Sequence, residues 1–396
     1  MQDIKVGIVG MGSRGRHWIN TFKRVKGAKV IALCEKIGPL LEEGIKIAED
    51  SRVKGYQDFE KMLKEPGLDA VAIVVEPENN ADLVCEALNS GKHVICEVPL
   101  AFTIKDCWRV ILAVERSGLK FSMAEQLRFS AYVNAWKKMV EEKVLGKIVL
   151  AEGQYFHGIT TLFWLDAETG KRLTWKEAKN NSHAKKGRMW YMSHPILYLP
   201  HDLSPILKVL NDRVKKVVCM GTRKRSYHYE DFHENLPISD IEVALMHTEK
   251  DTVLRMAAGF NAPTPMPNHW QHIMGTKGEV ETNRSTNDKM KIWLADSFMN
   301  TKMDIDWEYT PYQPAPPEAK GTGHGSLDYY PLANFIKSIK EDTLPEMDVY
   351  KACDTAAPAI LAGVSADRGN QCLEVPNFRP NEKRQVGEKP NKTDII

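Results

Sequence analysis

The feature that most constrains the fold is a glycine-rich loop that follows the first apolar run. Residues 4–9 read IKVGIV, a β-branched run suited to a strand buried on both faces of a parallel sheet. Gly10, Gly12 and Gly15 follow with GxGxxG spacing, and 16–25 has the pattern of a helix. In such a unit the first glycine permits a tight turn, the second lets backbone approach a pyrophosphate, and the third lets helix and strand pack closely. The surrounding strand and helix raise this otherwise weak motif to a prediction of dinucleotide binding.

An acidic residue stands where a dinucleotide-binding unit needs one. The second apolar run, 29–34, ends in Glu35, 20 residues beyond the third glycine. A carboxylate there accepts hydrogen bonds from the adenosine ribose and repels a 2′-phosphate, which predicts NAD rather than NADP. Ser13 and Arg14 complete the phosphate loop at the helix N-terminus, although Arg14 and Lys36 are cations that could accommodate the extra phosphate. The alternative is a βαβ unit that binds no nucleotide.

The order of the predicted elements divides the chain. Strands and helices alternate in the first third, which predicts a parallel sheet with helices on both faces. Longer runs of alternating residues follow, which predict antiparallel strands with one wet face. We therefore expect an α/β fold: a Rossmann NAD-binding domain over 1–126, an α+β substrate and oligomerisation domain with a large open, mostly antiparallel sheet over 127–380, and a loosely ordered tail over 381–396. The proline-rich segment 309–325 is predicted to be a loop or arm.

Composition excludes several classes of function. The formal net charge is +2 and no basic block occurs, so neither nucleic acid nor a membrane is an expected partner. No apolar stretch is long enough to span a bilayer, and the first strand begins almost at Met1, so we expect a cytoplasmic protein. The 7 cysteines form no C-x-x-C pair, which indicates reduced thiols. The 12 histidines show no metal-ligand spacing, so no metal is expected.

Several motifs together resemble one family, the Gfo/Idh/MocA oxidoreductases. They are VGIVGMGSRG, HVICEVP, GKIVLAEGQYFHG, YLPHDLSPILKVL, GTKGEVE and DVYKACD, which are spread over nearly the whole chain. The resemblance implies NAD or NADP on the Rossmann domain, a sugar-sized pocket against the open sheet, and oxidation of a ring hydroxyl. The usual Glu-Lys-Pro motif is replaced here by Glu97-Val98-Pro99, and the family's common histidine after the third-strand proline is absent.

The departures point to one branch. GSRG, EVP followed by FTIKDCWRVI, and HGSLDYYPLANFIKSIKEDTLPEMDVYKA are similar to glycoside hydrolase family 109, whose members cleave glycosidic bonds with a tightly held NAD. The resemblance places Tyr198 and His201 at the reacting sugar. The residue after that histidine is usually glycine, whereas here it is Asp202, which leaves the substrate chemistry open.

The residues around this histidine can also be interpreted directly. His194, Tyr198 and His201 have spacings that would place them on one face of a helix. Pro200 argues against a continuous helix, so we expect a helix that begins near Pro200 with His201 in its opening turn. A neutral imidazole there could take a proton from a sugar hydroxyl and could polarise Tyr198. The alternative is that both side chains are structural.

Other candidate residues follow from their positions. Glu97 and Pro99 end a parallel strand at the edge where open sheets bind ligands, so we assign them to the cofactor. Tyr155 and His157 alternate on the first strand of the second domain and share a face, either wet surface or pocket. Arg128 follows the last Rossmann strand, and His324 lies in a glycine-flanked loop that could close over substrate. These four, with His194, are the candidate substrate residues.

Three functions fit these observations. The first is an NAD-dependent oxidoreductase that transfers hydride at a ring carbon, C3, of a sugar or glycoside. The second is an NAD-recycling glycoside hydrolase, in which oxidation, elimination, water addition and reduction give no net redox change. The third is a non-catalytic, NAD-bound sensor. The expected partners are a small-molecule sugar or glycoside and further copies of the chain, in a homo-oligomer formed through the open sheet.

Overall fold

The computed structural model describes residues 2–158, 164–187, 194–222, 238–260, 268–285, 287–295, 305–307, 315–381 and 384–388. The first sheet has six parallel strands in the order β3-β2-β1-β4-β5-β6, the arrangement of a dinucleotide-binding domain. Its strands are β1 (Ile4–Val9), β2 (Ala28–Cys34), β3 (Lys54–Tyr56), β4 (Ala70–Ile73), β5 (His93–Cys96) and β6 (Phe121–Met123).

Helices cover both faces of this sheet, as the alternation predicted. They are α1 (Ser13–Phe22), α2 (Gly38–Ala48), α3 (Phe59–Leu63), α4 (Asn80–Asn89) and α5 (Ile104–Ser117). Thr103 caps α5 by accepting a hydrogen bond from the backbone N–H of Asp106, and Gly118 ends it in the left-handed conformation. All four residues of β4 are buried, as expected for a strand covered on both faces. The predicted Rossmann domain is therefore confirmed.

The second domain is built on a nine-stranded sheet in the order β17-β16-β15-β14-β7-β13-β12-β11-β18. Only the β7–β13 pair within it is parallel among the described strands, so the prediction of a large, mostly antiparallel sheet is confirmed. Its strands are β7 (Ile148–Phe156), β11 (Val214–Gly221), β12 (Ile241–Thr248), β13 (Val253–Gly259), β14 (His269–Gly275), β15 (Gly278–Glu281), β16 (Met290–Leu294), β17 (Ile305–Trp307) and β18 (Leu373–Glu374).

Helices cover one face of this sheet, and the described residues leave apolar side chains exposed on the other. The remaining helices are α6 (Ala131–Glu141), α7 (Trp175–Lys179), α8 (Pro200–Leu210), α9 (Tyr329–Lys340) and α10 (Val349–Asp367). In β12 the buried residues alternate with exposed Val243 and Leu245, which is the pattern of a strand with one buried face. Helix α10 packs against β11, α5 and α8 and so lies between the two domains.

The chain returns to the first domain near its C-terminus. Leu332, Phe335 and Ile336 of α9 are buried in the same apolar cluster as Ile8 and Trp18 of the Rossmann domain. The amphipathic pattern of α9 predicted a helix, but not that it would pack on the N-terminal domain. The predicted boundary at residue 126 therefore describes the sheets and not this helix.

Two smaller features lie outside the two large sheets. A three-stranded sheet, formed by β8 (Trp164–Asp166), β9 (Arg172–Leu173) and β10 (Ala184–Lys186), reaches the Rossmann domain, where Arg172 donates to the Ser13 hydroxyl over 3.4 Å. Residues 309–314 of the predicted arm lie outside the described residues, and the rest contains two short helical turns, Pro317–Ala319 and Gly323–Ser326.

The tail is partly anchored. Arg384 is buried and donates to the carboxylate of Glu115 at 2.8 and 2.9 Å and to the backbone carbonyl of Phe378 at 2.6 Å. Residues 384–388 therefore pack on α5, because a buried guanidinium needs a carboxylate and carbonyl partners. Residues 389–396 lie outside the described part.

Two observations cover the whole described chain. Among the described helices, none combines the length and the apolar character needed to cross a bilayer. All 7 cysteines are free thiols, as their scattered spacing predicted, and Cys372 is exposed.

Candidate active site

The glycine loop has the shape that a pyrophosphate needs. Gly10 has φ +91°, and a Cβ there would lie 2.1 Å from the carbonyl oxygen of Val74. A Cβ on Gly15 would lie 1.8 Å from the Gly10 carbonyl oxygen. A Cβ on Gly12 would meet nothing within 4 Å, so the backbone before α1 borders open space. The loop therefore fits a dinucleotide, with close packing at two glycines and an open approach at the third.

Glu35 holds the end of β2 against this loop. Its carboxylate accepts hydrogen bonds from the backbone N–H of Met11 at 2.8 Å and of Ile37 at 3.0 Å. Lys36 beside it is exposed. The carboxylate is thus fixed at the carboxyl edge of the sheet, where the sequence placed the ribose-binding acid.

Arg14 joins the glycine loop to two other segments. It forms ion pairs with Glu97, after β5, and with Asp328, just before α9. Asp328 also contacts His17 at 3.3 Å and His324 at 2.8 Å. Burial opposes the charge on the Asp328 carboxylate, but these cationic and hydrogen-bonding partners outweigh burial and hold its pKa well below the usual range. Arg14 is therefore committed to Glu97 and Asp328, and His324 lies in the same charged cluster.

The segment after β5 forms a fixed turn at the same edge. The Val98–Pro99 peptide bond is cis. The side-chain amide of Asn80 donates to the carbonyl oxygens of Glu97 at 3.2 Å and Pro99 at 2.8 Å. Glu97 and Pro99 therefore lie beside the glycine loop, where the sequence assigned them to the cofactor.

His201 belongs to a second group of candidate residues at this edge. Helix α8 starts at Pro200, as the sequence predicted, and His201 lies in its opening turn. His201 Nδ1 is 2.6 Å from Oε2 of Glu125, a carboxylate with no exposed side-chain surface. Glu125 follows β6, and its neighbour Ala124 donates to the carbonyl oxygen of Cys96 at the end of β5. The imidazole therefore faces the carboxyl edge of the Rossmann sheet, where ligands of this fold bind.

An aromatic cluster surrounds His201 on the second domain. Its centre is Tyr155, whose ring centroid lies 5.6 Å from that of His201, 6.5 Å from Tyr198 and 6.1 Å from His157. We call this set the pocket cluster; its members are Tyr155, His157, Tyr198, His201, Phe260 and His269. The structure thus brings together four of the predicted residues, Tyr155, His157, Tyr198 and His201.

A buried polar network lies directly behind this cluster. Asp202 has no exposed side-chain surface; its carboxylate lies 2.8 Å from His269 Nδ1 and accepts from the Gln271 amide at 3.2 Å. Tyr132 in turn donates to Gln271 at 2.9 Å. A Cβ on Gly153 of β7 would lie 3.3 Å from the Asp202 Cβ, so glycine there lets α8 approach the sheet.

Two predicted substrate residues lie elsewhere. His194 is not on a common helix with Tyr198, because it only precedes the short helical turn Pro195–Tyr198. Its ring contacts Glu242 at 2.6 Å and Asp367 at 3.1 Å. Arg128 donates to Glu346 at 3.0 Å and to the carbonyl oxygen of Ser204 at 2.9 Å, and it is 6 % exposed. Both side chains are already engaged by protein groups, because a buried cation needs such partners.

The sequence analysis missed Glu125, His269 and Gln271 and gave Asp202 no role. Glu125 could have been found by the rule that selected Glu97, since both follow parallel strands of the same sheet. His269 and Gln271 carry no such signal. They reach the site because β14 pairs antiparallel with β7, which sets His269 opposite Tyr155.

Comparison with family models agrees with this architecture. Residues 4–125 match the model described as "Oxidoreductase family, NAD-binding Rossmann fold". Residues 130–383 match the model described as "Glycosyl hydrolase 109, C-terminal domain". The two matches meet close to the end of β6, between the two large sheets.

Individual relatives are distant in sequence but match nearly the whole chain. Glycosyl hydrolase family 109 protein 3 of Phocaeicola vulgatus is 25% identical over 416 aligned positions, covering 96% of this chain and 74% of that protein. Alpha-N-acetylgalactosaminidase of Tannerella forsythia is 25% identical and covers 95% of this chain and 86% of that protein. The structure of levoglucosan dehydrogenase with NADH and L-sorbose superposes with a TM-score of 0.75 at 19% identity, covering 95% of this chain and 100% of that chain. At this identity the structural match shows a shared fold.

Proposed function

We propose that this chain, which belongs to the Gfo/Idh/MocA oxidoreductases, oxidises a ring hydroxyl of a sugar or glycoside, at C3, with NAD. Its C-terminal domain is of the glycosyl hydrolase 109 type. The observation that carries the proposal is the His201–Glu125 pair. A buried imidazole, 2.6 Å from a carboxylate, faces the carboxyl edge of a dinucleotide-binding sheet and contacts a cluster of aromatic rings. This is the arrangement of a positioned general base.

The loop after β1 and the end of β2 support binding of the cofactor. The backbone at Gly12 borders open space that a pyrophosphate would occupy, with Ser13 next to it, and Glu35 lies where the adenosine ribose would bind. Glu97 and Pro99 form the turn at the end of β5 where the nicotinamide ribose would lie. When bound, NAD supplies a hydride acceptor for the ring carbon and can return the hydride later.

His201 would move the proton that accompanies hydride transfer. Its Nδ1 lies 2.6 Å from Oε2 of Glu125, so Nε2 is the ring nitrogen that would accept the proton of the substrate hydroxyl. The carboxylate then stabilises the imidazolium that forms. Tyr155 and Tyr198 offer aromatic faces that suit the C–H faces of a pyranose, and their hydroxyls offer hydrogen bonds. Access of bulk water would be limited because His201 and Tyr198 are only 8 % and 7 % exposed.

A second candidate function is cleavage of the glycoside after oxidation. A ketone at C3 acidifies the C2 hydrogen, the C1 substituent is eliminated, water adds, and reduction of the ketone leaves no net redox change. The match of residues 130–383 to the glycosyl hydrolase 109 domain, together with the relative named as an α-N-acetylgalactosaminidase, favours this candidate.

One experiment separates these functions. The purified protein is incubated with aryl glycosides and free sugars, with and without added NAD, and both released phenol and NADH absorbance are followed. NADH accumulation with a free sugar supports an oxidoreductase, whereas phenol release without NADH accumulation supports the hydrolase. NAD binding with neither product across the panel would contradict both and favour a sensor.

A matched pair of variants ties the signal to the site. His201→Asn should abolish whichever signal the wild type gives. His247→Asn should leave it unchanged, because His247 lies on β12 with 45% of its side chain exposed and pairs with Asp251.

The open face of the nine-stranded sheet supports a further part of the proposal, self-association. Met220, Val243 and Leu245 are 63%, 38% and 50% exposed and lie on neighbouring strands β11 and β12. Contiguous apolar side chains of this kind on a sheet face favour burial against a partner. We take that partner to be a second copy of the chain.

A further inference from the structure

The pocket cluster contains a second histidine–carboxylate pair beside the first. His269 on β14 stacks on Tyr155, with ring centroids 4.3 Å apart and an interplanar angle of 12°. Its Nδ1 lies 2.8 Å from the Asp202 carboxylate, and 23% of its side chain is exposed while Asp202 is fully buried. The ring is therefore held by a buried carboxylate and by Tyr155, and part of its surface stays exposed.

The two pairs share one structural origin. His201 and Asp202 are consecutive residues in the first turn of α8. His201 is the histidine of the first pair, and Asp202 is the carboxylate of the second pair. The imidazole centroids of His201 and His269 are 5.9 Å apart, and both rings contact Tyr155. A sugar bound against Tyr155 would therefore have one imidazole near each of two oxygen atoms.

The two histidines sit in different charge environments. The groups that face His269 are Asp202, Glu125, His201 and Tyr155. Burial opposes a charged His269, but the carboxylates of Asp202 and Glu125 outweigh burial and raise its pKa above the ordinary value. The geometry around His269 thus favours an imidazolium that can donate from Nε2.

We propose that His269 is a second proton-transfer residue, the acid that serves the oxygen leaving C1, and that Asp202 is its positioning residue. The inference rests on the proposed function in its cleavage form. By this stage His201 has released to solvent the proton that it took from the substrate hydroxyl. The electron pair of the C2–H bond then forms the C1–C2 double bond, and the C2 proton passes to His201. The C1–O bond breaks, its electron pair stays on oxygen, and oxygen takes the proton from His269 Nε2. Solvent then reprotonates His269.

Leaving groups of different basicity test this role. A 4-nitrophenolate leaves without much help from an acid, whereas a methoxide needs a proton. His269→Asn should therefore lower turnover of a methyl glycoside by about a hundredfold or more, the usual worth of a positioned acid, and turnover of the 4-nitrophenyl glycoside of the same sugar much less. His269→Gln serves as a second variant if the Asn variant melts early.

The pH profile tests the positioning role of Asp202. Activity on the methyl glycoside should fall as pH rises through the pKa of His269, since the protonated ring is the acid. Asp202→Asn removes the carboxylate that raises this pKa, so the high-pH limb should move to lower pH by about one unit or more. His272→Asn is the matched control. His272 is on the same strand and is also carboxylate-paired, at 3.0 Å from Glu152, but it lies on the other face of the sheet.

The outcomes are distinct. Equal loss on both glycosides in a folded His269→Asn protein, or an unmoved high-pH limb in Asp202→Asn, overturns the inference. Wild-type protein that forms NADH from sugars but cleaves neither glycoside also overturns it, while the redox proposal stands. Wild-type protein inactive in both assays overturns the proposed function itself.

Discussion

Replacing His201 tests the central claim, and the structure dictates which replacement to use. His201→Ala removes the proposed base, but it also strips Glu125, a fully buried carboxylate, of the imidazole 2.6 Å away. An uncompensated buried charge costs about 3–5 kcal/mol of folding free energy. Loss of activity in the alanine variant would then combine a chemical effect with a structural one.

His201→Asn separates the two effects. The asparagine amide nitrogen is attached to Cγ, as Nδ1 is in histidine, so it can donate a hydrogen bond to Glu125 while the proton-accepting Nε2 is gone. A positioned base contributes about 10²–10⁴ in rate. At about 1.36 kcal/mol for each tenfold change, this corresponds to roughly 2.7–5.4 kcal/mol of activation free energy.

The assay therefore measures three quantities on wild type, His201→Ala and His201→Asn: melting temperature, NAD affinity and turnover per folded molecule. We expect both variants to lose at least about a hundredfold in turnover, only the alanine variant to melt clearly earlier, and the asparagine variant to bind NAD as wild type does. Turnover within about threefold of wild type in folded His201→Asn protein would refute the assignment, because a general base contributes more than that.

Three further predictions follow from the cofactor site and the open sheet. NAD should bind at least about tenfold tighter than NADP, and Glu35→Gln should reduce this ratio of affinities, because the carboxylate that repels a 2′-phosphate is lost. Titration with both nucleotides measures the ratio. Equal affinities in the wild-type protein would contradict the assignment of Glu35 to the ribose. Gly12→Ala should fold with the wild-type melting temperature yet bind NAD at least about tenfold more weakly, since its Cβ would enter the open space left for phosphate. Undiminished NAD binding would contradict phosphate binding by this loop. Leu245→Lys should shift the mass measured by light scattering toward that of a monomer. Leu344→Lys, at a leucine that is 75% exposed and outside the sheets, should leave the mass unchanged. Equal masses for the wild type and Leu245→Lys would contradict association through the sheet.

The sequence by itself determined the elements whose signals are local. Gly10 has φ +91°, and a Cβ on Gly15 would lie 1.8 Å from a carbonyl oxygen, so few residues other than glycine fit either position. GxGxxG, the strand before it and Glu35 therefore predicted the Rossmann loop correctly. The start of α8 was also predicted from a local signal. Proline interrupts a helix that precedes it but is favoured in the first turn of a new one, and α8 begins at Pro200.

Tertiary structure decided which side chains meet. His194 has helical spacing to Tyr198 and His201, yet the chain turns between them and Glu242 holds its ring. Arg128 follows the same sheet strand as Glu125, yet its side chain donates a hydrogen bond to Glu346. His269 is 68 residues from His201 and reaches it because β14 pairs with β7, and one residue of register shift would have turned it to the opposite face. Such pairings depend on contacts between distant segments, and no local pattern in the sequence encodes them.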